Sequence, residues 1–179
     1  MNPSDGLTND ESAAIQLYTM EWSFGSQSLY AKLNGALRAE DRIELRVYLL
    51  YLKLLLTGLC KLKSVEQTVW RGVRMDLSTE YPVGKTIVWW GFSSCTDSLH
   101  YLKSNRFVGQ IGVRTLFNIE CKTGKSIGAH SYFQKEKEIL LLPATQFQVI
   151  GQLNPGNGLH IIHLRETHPE YSLLHPLFS

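Results

Sequence analysis

The sequence lacks an excess of charge of either sign. Eighteen Lys and Arg stand against sixteen Asp and Glu, for a formal net charge of +2. No large field therefore argues for nucleic acid or an anionic membrane as partner. Cysteine is scarce: Cys60, Cys95 and Cys121 are odd in number and widely spaced. They form neither a metal-ligand spacing nor a disulfide framework and read as thiols of a reducing compartment. The opening MNPSDGLTND has no basic flank followed by an apolar stretch, so no signal peptide is visible. The longest apolar segment, VYLLYLKLLLTGLC (47–60), contains Lys53 and is too short to span a bilayer. Glycine-rich phosphate loops of the G-x-G-x-x-G or GK[ST] kind are missing, as is a G-x-S-x-G elbow. His160 and His163 are three apart, which in a strand puts them on opposite faces and argues against metal ligation. These absences lead us to expect one domain over residues 1–179, with no metal, no nucleic-acid or membrane partner, and a monomeric state. They lead us to expect a place in the cytoplasm or within a larger chain, and secretion has no support in the sequence.

What is present is an ordinary globular composition, 44% apolar and 19% charged. Residues 7–65 read as helical. Thr8 and Glu11 have the spacing of a capping box, with Ala14, Leu17 and Tyr18 following at helical intervals. SLYAKLNGALR (28–38) predicts a second helix, and Asp41 a cap for a third of about 20 residues ending near Gly58. The third is apolar nearly all round, so it is expected to pack on more than one neighbour. After residue 65 the pattern changes to strands: 67–73, 85–95, 115–121, 138–144, 145–153 and 159–166. Residues 96–105 predict a short helix, and NPGNG (154–158) a hairpin turn. Helices first and strands afterwards give an α+β class with a mostly antiparallel sheet. The expected organisation is a helical lobe over about 7–65, a β-sandwich core over 66–166 and a peripheral tail over 167–179.

Three stretches carry candidate chemistry. In QKEKEILLLP (134–143), Glu136 and Glu138 lie two apart at the mouth of an apolar run. Positions i and i+2 of a strand share a face, roughly 6–7 Å apart. Such a pair suits chemistry at an anomeric carbon, one carboxylate stabilising an oxocarbenium-like centre and the other handling the nucleophile. In VWRGVR (69–74), Arg71 offers a planar fork for phosphate oxygens, and Gly72 lets backbone approach a ligand closely. In WWGFSSCTDS (89–98), the hydroxyls of Ser93, Ser94 and Thr96 follow an aromatic strand, and Cys95 alternates away from Ser94 towards burial. Taken singly, each stretch is more simply a solvated strand end, an edge arginine beside a bulge glycine, or a helix cap.

Their order is more specific than any one of them. Arg71-Gly72 on a strand, then Phe92-Ser93-Ser94-Cys95-Thr96, then Glu136-Lys137-Glu138 before an apolar strand, resembles the arginine–serine–glutamate clade of mono-ADP-ribosyltransferases. The likeness is to its cholera-toxin-like, arginine-specific branch. LTNDESAAIQLYT (7–19), LYAKLNGALR (29–38) and SIGAHSYFQKEKEILLLP (126–143) extend it over about residues 7–166. The family's Ser-Thr-Ser reads Ser94-Cys95-Thr96 here, which keeps the first serine and a final hydroxyl.

The resemblance implies a split β-sandwich with a helical N-terminal lobe and a central NAD cleft. It implies transfer of ADP-ribose from NAD, the co-substrate, to arginine of a target protein, with no metal. Arg71 would bind the NAD phosphates and Gly72 the nicotinamide carboxamide. Ser94 would hold Glu138, and Glu138 would bond the ribose 2′-hydroxyl and stabilise the oxocarbenium. Glu136 would position and deprotonate the acceptor guanidinium. Phe133 and Gln134 would meet the target protein, Phe107 would stack on nicotinamide, and Asn34 or Arg74 would touch NAD. An NAD glycohydrolase using water as acceptor fits the same residues. An inactive module that binds NAD or a modified protein is a rival that the presence of Arg71, Ser94, Glu136 and Glu138 speaks against. A sugar hydrolase leaves the arginine–glycine strand without a job.

Overall fold

The computed structural model describes residues 3–22, 28–98, 112–134, 137–171 and 173. Helix α1 spans Asn9–Thr19 and starts at the expected box. The Thr8 hydroxyl accepts from the Glu11 amide at 3.2 Å, and the Glu11 carboxylate accepts from the Thr8 amide at 2.8 Å. Two otherwise orphaned amides are thereby satisfied. Glu11 is buried and also receives Lys61 Nζ at 2.8 Å, which ties the start of α1 to the end of α3 (Leu49–Lys61). Thr8→Ala is expected to cost about 1 kcal/mol. For a domain of this size that lowers the melting temperature by about 2–4 °C, readable by thermal unfolding.

Helix α2 covers Leu29–Arg38. The expected 20-residue third helix is instead two pieces, a 3₁₀ segment over Glu44–Tyr48 followed by α3. Asp41 caps neither, because its Oδ1 accepts from the Ile43 amide at 2.9 Å in a local turn. Nor is α3 enclosed on all sides. Leu52, Leu55, Leu56 and Leu59 are buried, whereas Leu49 and Leu50 remain 51% and 87% exposed. None of the described helices is long and apolar enough to cross a membrane.

Among the described residues seven strands follow: β1 Ser64–Val73, β2 Thr86–Trp89, β3 Ser93–Thr96, β4 Arg114–Ser126, β5 Glu138–Leu141, β6 Thr145–Gly156 and β7 Leu159–Thr167. Five of them run β1-β4-β7-β6-β2, all antiparallel except β4 with β7. β3 and β5 form an antiparallel pair that meets the five at two places, Trp70↔Thr96 and Lys125↔Leu140 with Ser126↔Ile139. The class is therefore α+β with a mostly antiparallel, divided sheet. Asn157 adopts φ 54° between Gly156 and Gly158, both also at positive φ, in the expected β6–β7 turn.

The single strand expected over 85–95 is broken into β2 and β3, which pair with β6 and β5 respectively. Gly91 marks the break. A Cβ there would fall 3.0 Å from Asn34 Oδ1 and 3.2 Å from Arg38 Nε. The next amide, of Phe92, donates to Asn34 Oδ1 at 2.8 Å. A ladder hydrogen bond is thus replaced by one to α2, and the chain crosses between layers. Thr96 ends β3 rather than capping a helix; residues 99–105 of that expectation lie outside the described residues.

Two cores result from the pleat of the β3–β5 pair. Cys95, Ile139 and Leu141 face Val69, Phe117, Phe147 and Leu164 of the five-stranded layer. Leu140 faces the helices with Ile15, Leu33, Leu55 and Phe92. Because side chains alternate along a strand, Glu138 shares the helix-facing side with Leu140, and so does Ser94, the register partner of Leu140.

Candidate active site

The helix-facing side of β3 and β5 does not close completely against α1 and α2. Between them lies a cavity of about 490 Å³ lined by Arg71, Gly72, Ser94, Phe133 and Glu138, with Tyr18, Asn34 and Arg38 from the helices. That volume is within the range of small-molecule sites. Past Arg38 and Arg71, which line both, a second cavity of about 290 Å³ continues between Tyr81, Trp89, Trp90 and Phe117.

The glutamate is held on both oxygens. Ser94 Oγ donates to Glu138 Oε1 at 2.7 Å. Ser131 Oγ lies 3.3 Å from Glu138 Oε2 as donor. Arg71, on β1, donates through Nη1 to the Ser94 carbonyl at 2.9 Å, so the arginine braces the strand that carries the serine. The guanidinium has further N–H groups in a fixed fork for a ligand anion. β5 reaches this position because Gly124 of β4 has no side chain. A Cβ there would lie 2.8 Å from Ile139 Cγ2 and 2.7 Å from Cys121 Sγ.

The helical wall is polar where it meets the cavity. Tyr30, Asn34 and Arg38 are spaced four apart on α2 and all line the cavity. Asn34 donates to the Tyr18 hydroxyl at 3.0 Å while accepting from Phe92, so its amide joins α1, α2 and the entry to β3. Burial pushes the Tyr18 phenol well above its ordinary range; the Asn34 bond opposes this, the Glu138 charge adds to it, and Arg71 and Arg38 oppose it. Tyr18 is thus a neutral hydroxyl at any physiological pH.

Of the residues singled out by sequence, Arg71, Gly72, Ser94, Phe133 and Glu138 come together around one cavity. Gln134 is exposed and does not line it. Arg74 is exposed beyond the end of β1 and lines neither cavity. Glu136 and Phe107 lie outside the described residues. Cys95 is fully buried and its thiol is pushed up to about 12 by that burial, which leaves no thiolate for nucleophilic chemistry. His160 and His163 point to different carboxylates, Asp76 and Glu120. No group of three or more His, Cys, Asp or Glu converges among the described residues. Sequence reasoning gave no role to Tyr18, Tyr30, Arg38 or Ser131. The four-residue spacing of Tyr30, Asn34 and Arg38 was the available signal for α2; Tyr18 and Ser131 carried none.

Residues 1–171 match the family model of NAD:arginine ADP-ribosyltransferases, and the chain belongs to that family. GPI-linked NAD(P)(+)–arginine ADP-ribosyltransferase 1 of Mus musculus is 30% identical over 171 residues, covering 89% of this chain and 49% of the mouse protein. NAD(+)–protein-arginine ADP-ribosyltransferase Tre1 of Serratia proteamaculans is 26% identical over 161 residues, covering 88% of this chain and 32% of Tre1. The chain thus spans half or less of the length of these relatives. Among solved structures, the ADP-ribosyltransferase Vis of Vibrio splendidus, in complex with agmatine, has a TM-score of 0.72 at 22% identity. That match covers 93% of this chain and 78% of Vis, and it shows the shared fold.

Proposed function

We propose that this chain transfers ADP-ribose from NAD to arginine side chains of a target protein and releases nicotinamide. The observation that carries the proposal is the Ser94–Glu138 hydrogen bond at 2.7 Å, set in a cavity walled by Arg71 and Gly72, in a chain of this family. The names of its relatives and the agmatine held by Vis support arginine as the acceptor.

The chemistry needs few groups. The bond between ribose C1′ and the nicotinamide nitrogen breaks, and its electron pair leaves with neutral nicotinamide. Positive charge spreads over C1′ and the ring oxygen. A carboxylate already fixed beside that charge stabilises it without reorganising. Glu138 fills this role, its 2′-hydroxyl contact anchoring the sugar, and Ser94 keeps the carboxylate aimed. Arg71 and Arg38, standing where the two cavities meet, take the diphosphate, and Gly72 presents backbone to the carboxamide. The acceptor nitrogen then attacks C1′ and must lose a proton. A free guanidinium has a pKa above about 12, so a second carboxylate is required; Glu136, two residues ahead of Glu138, is assigned to it. Phe133, half-buried at the cavity wall, and the exposed Gln134 are assigned to contact with the target protein.

Incubation with NAD labelled in the adenylate half, with and without agmatine, tests the reading. Labelled ADP-ribosyl-agmatine is the expected product. Free ADP-ribose alone, at the same rate with or without agmatine, would instead mark an NAD glycohydrolase, and NAD binding without turnover an inactive module.

A milder prediction concerns Arg71. Lysine is a compact charge on a different stem and lacks the rigid planar fork that lets Arg71 donate to the Ser94 carbonyl while offering further N–H groups to a phosphate oxygen in fixed directions. Arg71→Lys is expected to raise KM for NAD roughly tenfold, equivalent to about 1.4 kcal/mol, with a smaller fall in kcat. An unchanged KM in steady-state assays removes Arg71 from NAD binding.

A further inference from the structure

The segment between β4 and β5 is stitched to the helical lobe at several points. His130, 5% exposed, has three partners: its Nδ1 is 2.9 Å from Ser12 Oγ on α1, and its Nε2 is 3.1 Å from Asp5 Oδ2 and 3.4 Å from Ser4 Oγ. The Ser131 amide donates to the Ile127 carbonyl at 2.8 Å, closing a turn. The Tyr132 amide donates to Thr19 Oγ1, at the last turn of α1, at 2.8 Å. Between these ties Ser131 is fully buried. Its hydroxyl accepts from the Phe133 amide at 3.1 Å and donates towards Glu138 Oε2 at 3.3 Å.

A hydroxyl has one proton to give. One of its two lone pairs accepts from the Phe133 amide, and the single proton of Ser131 is given to the carboxylate. Glu138 therefore stands between two serines, Ser94 on Oε1 and Ser131 on Oε2. One hydrogen bond leaves a carboxylate free to rotate about its terminal torsion, which is broad. Two bonds on opposite oxygens fix the plane of the group.

We propose that Ser131 is a positioning residue for Glu138, the second half of a serine clamp through which α1 and the β4–β5 segment set the plane of the reacting carboxylate. The proposal rests on the assignment of Glu138 above. It also couples the acceptor side to the sugar side, since the Phe133 amide that orients Ser131 belongs to the segment facing the target.

The test compares wild type with Ser131→Ala, Ser131→Cys, Ser94→Ala, the Ser94→Ala/Ser131→Ala pair and Glu138→Gln. Measured for each are kcat, KM for NAD and the melting temperature. Ser131→Cys keeps the shape of the side chain at a slightly larger size but is a weak donor, and Ser131→Ala is smaller, so a loss shared by both reports the hydrogen bond rather than packing. Ser131→Ala and Ser131→Cys are expected to lower kcat alike, by roughly tenfold, with KM within about twofold. Ser131→Cys should also retain the wild-type melting temperature. Because both hydroxyls act on one carboxylate, the double variant should lose less than the product of the two single losses. A normal kcat in Ser131→Cys, or a double loss equal to or larger than that product, overturns the clamp. Activity persisting in Glu138→Gln would overturn the assignment of Glu138 itself, which is a different outcome from an inert Glu138→Gln beside a normal Ser131→Cys.

Discussion

Glu138→Gln is expected to abolish both ADP-ribose transfer to agmatine and hydrolysis of NAD, with a loss in kcat of at least about 10²–10³-fold. Glutamine has nearly the same shape, so packing at the start of β5 is retained. What disappears is the negative charge next to C1′ when nicotinamide departs. Both reactions pass through that same positive sugar, whichever nucleophile follows, so both should fall together. The residue also keeps a hydrogen-bonding oxygen for Ser94, whose partner distance is 2.7 Å in the wild-type chain. The expected signature is thus a folded protein with near-normal melting temperature and no turnover. A Glu138→Gln enzyme that still releases nicotinamide at a wild-type rate is incompatible with the proposed site.

Glu136→Gln should behave differently. Its carboxylate is assigned to the acceptor, not to the sugar. Transfer to agmatine is expected to drop by about 10²–10⁴-fold, the usual contribution of a positioned base. NAD hydrolysis should continue, because water needs far less help in losing its proton after attack on so strong an electrophile. The contrast between the two variants is the informative quantity: one loses both products and the other loses only one. Equal residual transfer in the two would mean that the division of labour between sugar and acceptor is wrong. Chromatography of labelled ADP-ribose and ADP-ribosyl-agmatine from the same reaction gives both rates at once.

Much of this architecture is written in local pattern. The Thr8–Glu11 box is legible because both hydrogen bonds close within one turn of α1. Strands β4, β6 and β7 are legible from their β-branched and aromatic alternation, and the turn at 154–158 from residues that tolerate positive φ. The burial of Cys95 follows from alternation beside Ser94. Local pattern fails where a distant partner decides. The break between β2 and β3 depends on Asn34, 58 positions away in sequence, taking the Phe92 amide. The start of α3 gave way to a 3₁₀ segment after the turn at Asp41, and composition alone showed an apolar run without saying which side meets the core.

For the site, the order and types of the chemical groups can be read directly along the chain: an arginine and glycine on one strand, a serine on the next, a glutamate opening a third. Residue identity is enough for that, because charge and hydrogen-bonding capacity belong to the side chain wherever it lies. That Arg71, Ser94 and Glu138 meet, that Tyr18 and Arg38 wall the same cavity, and that Ser131 stands on the far oxygen of the carboxylate follow from long-range packing. Those contacts join strands and helices whose pairing is set by two cores built from residues scattered over the chain. Hydrogen bonds act over about 3 Å, and no periodicity within one segment encodes a distance between two.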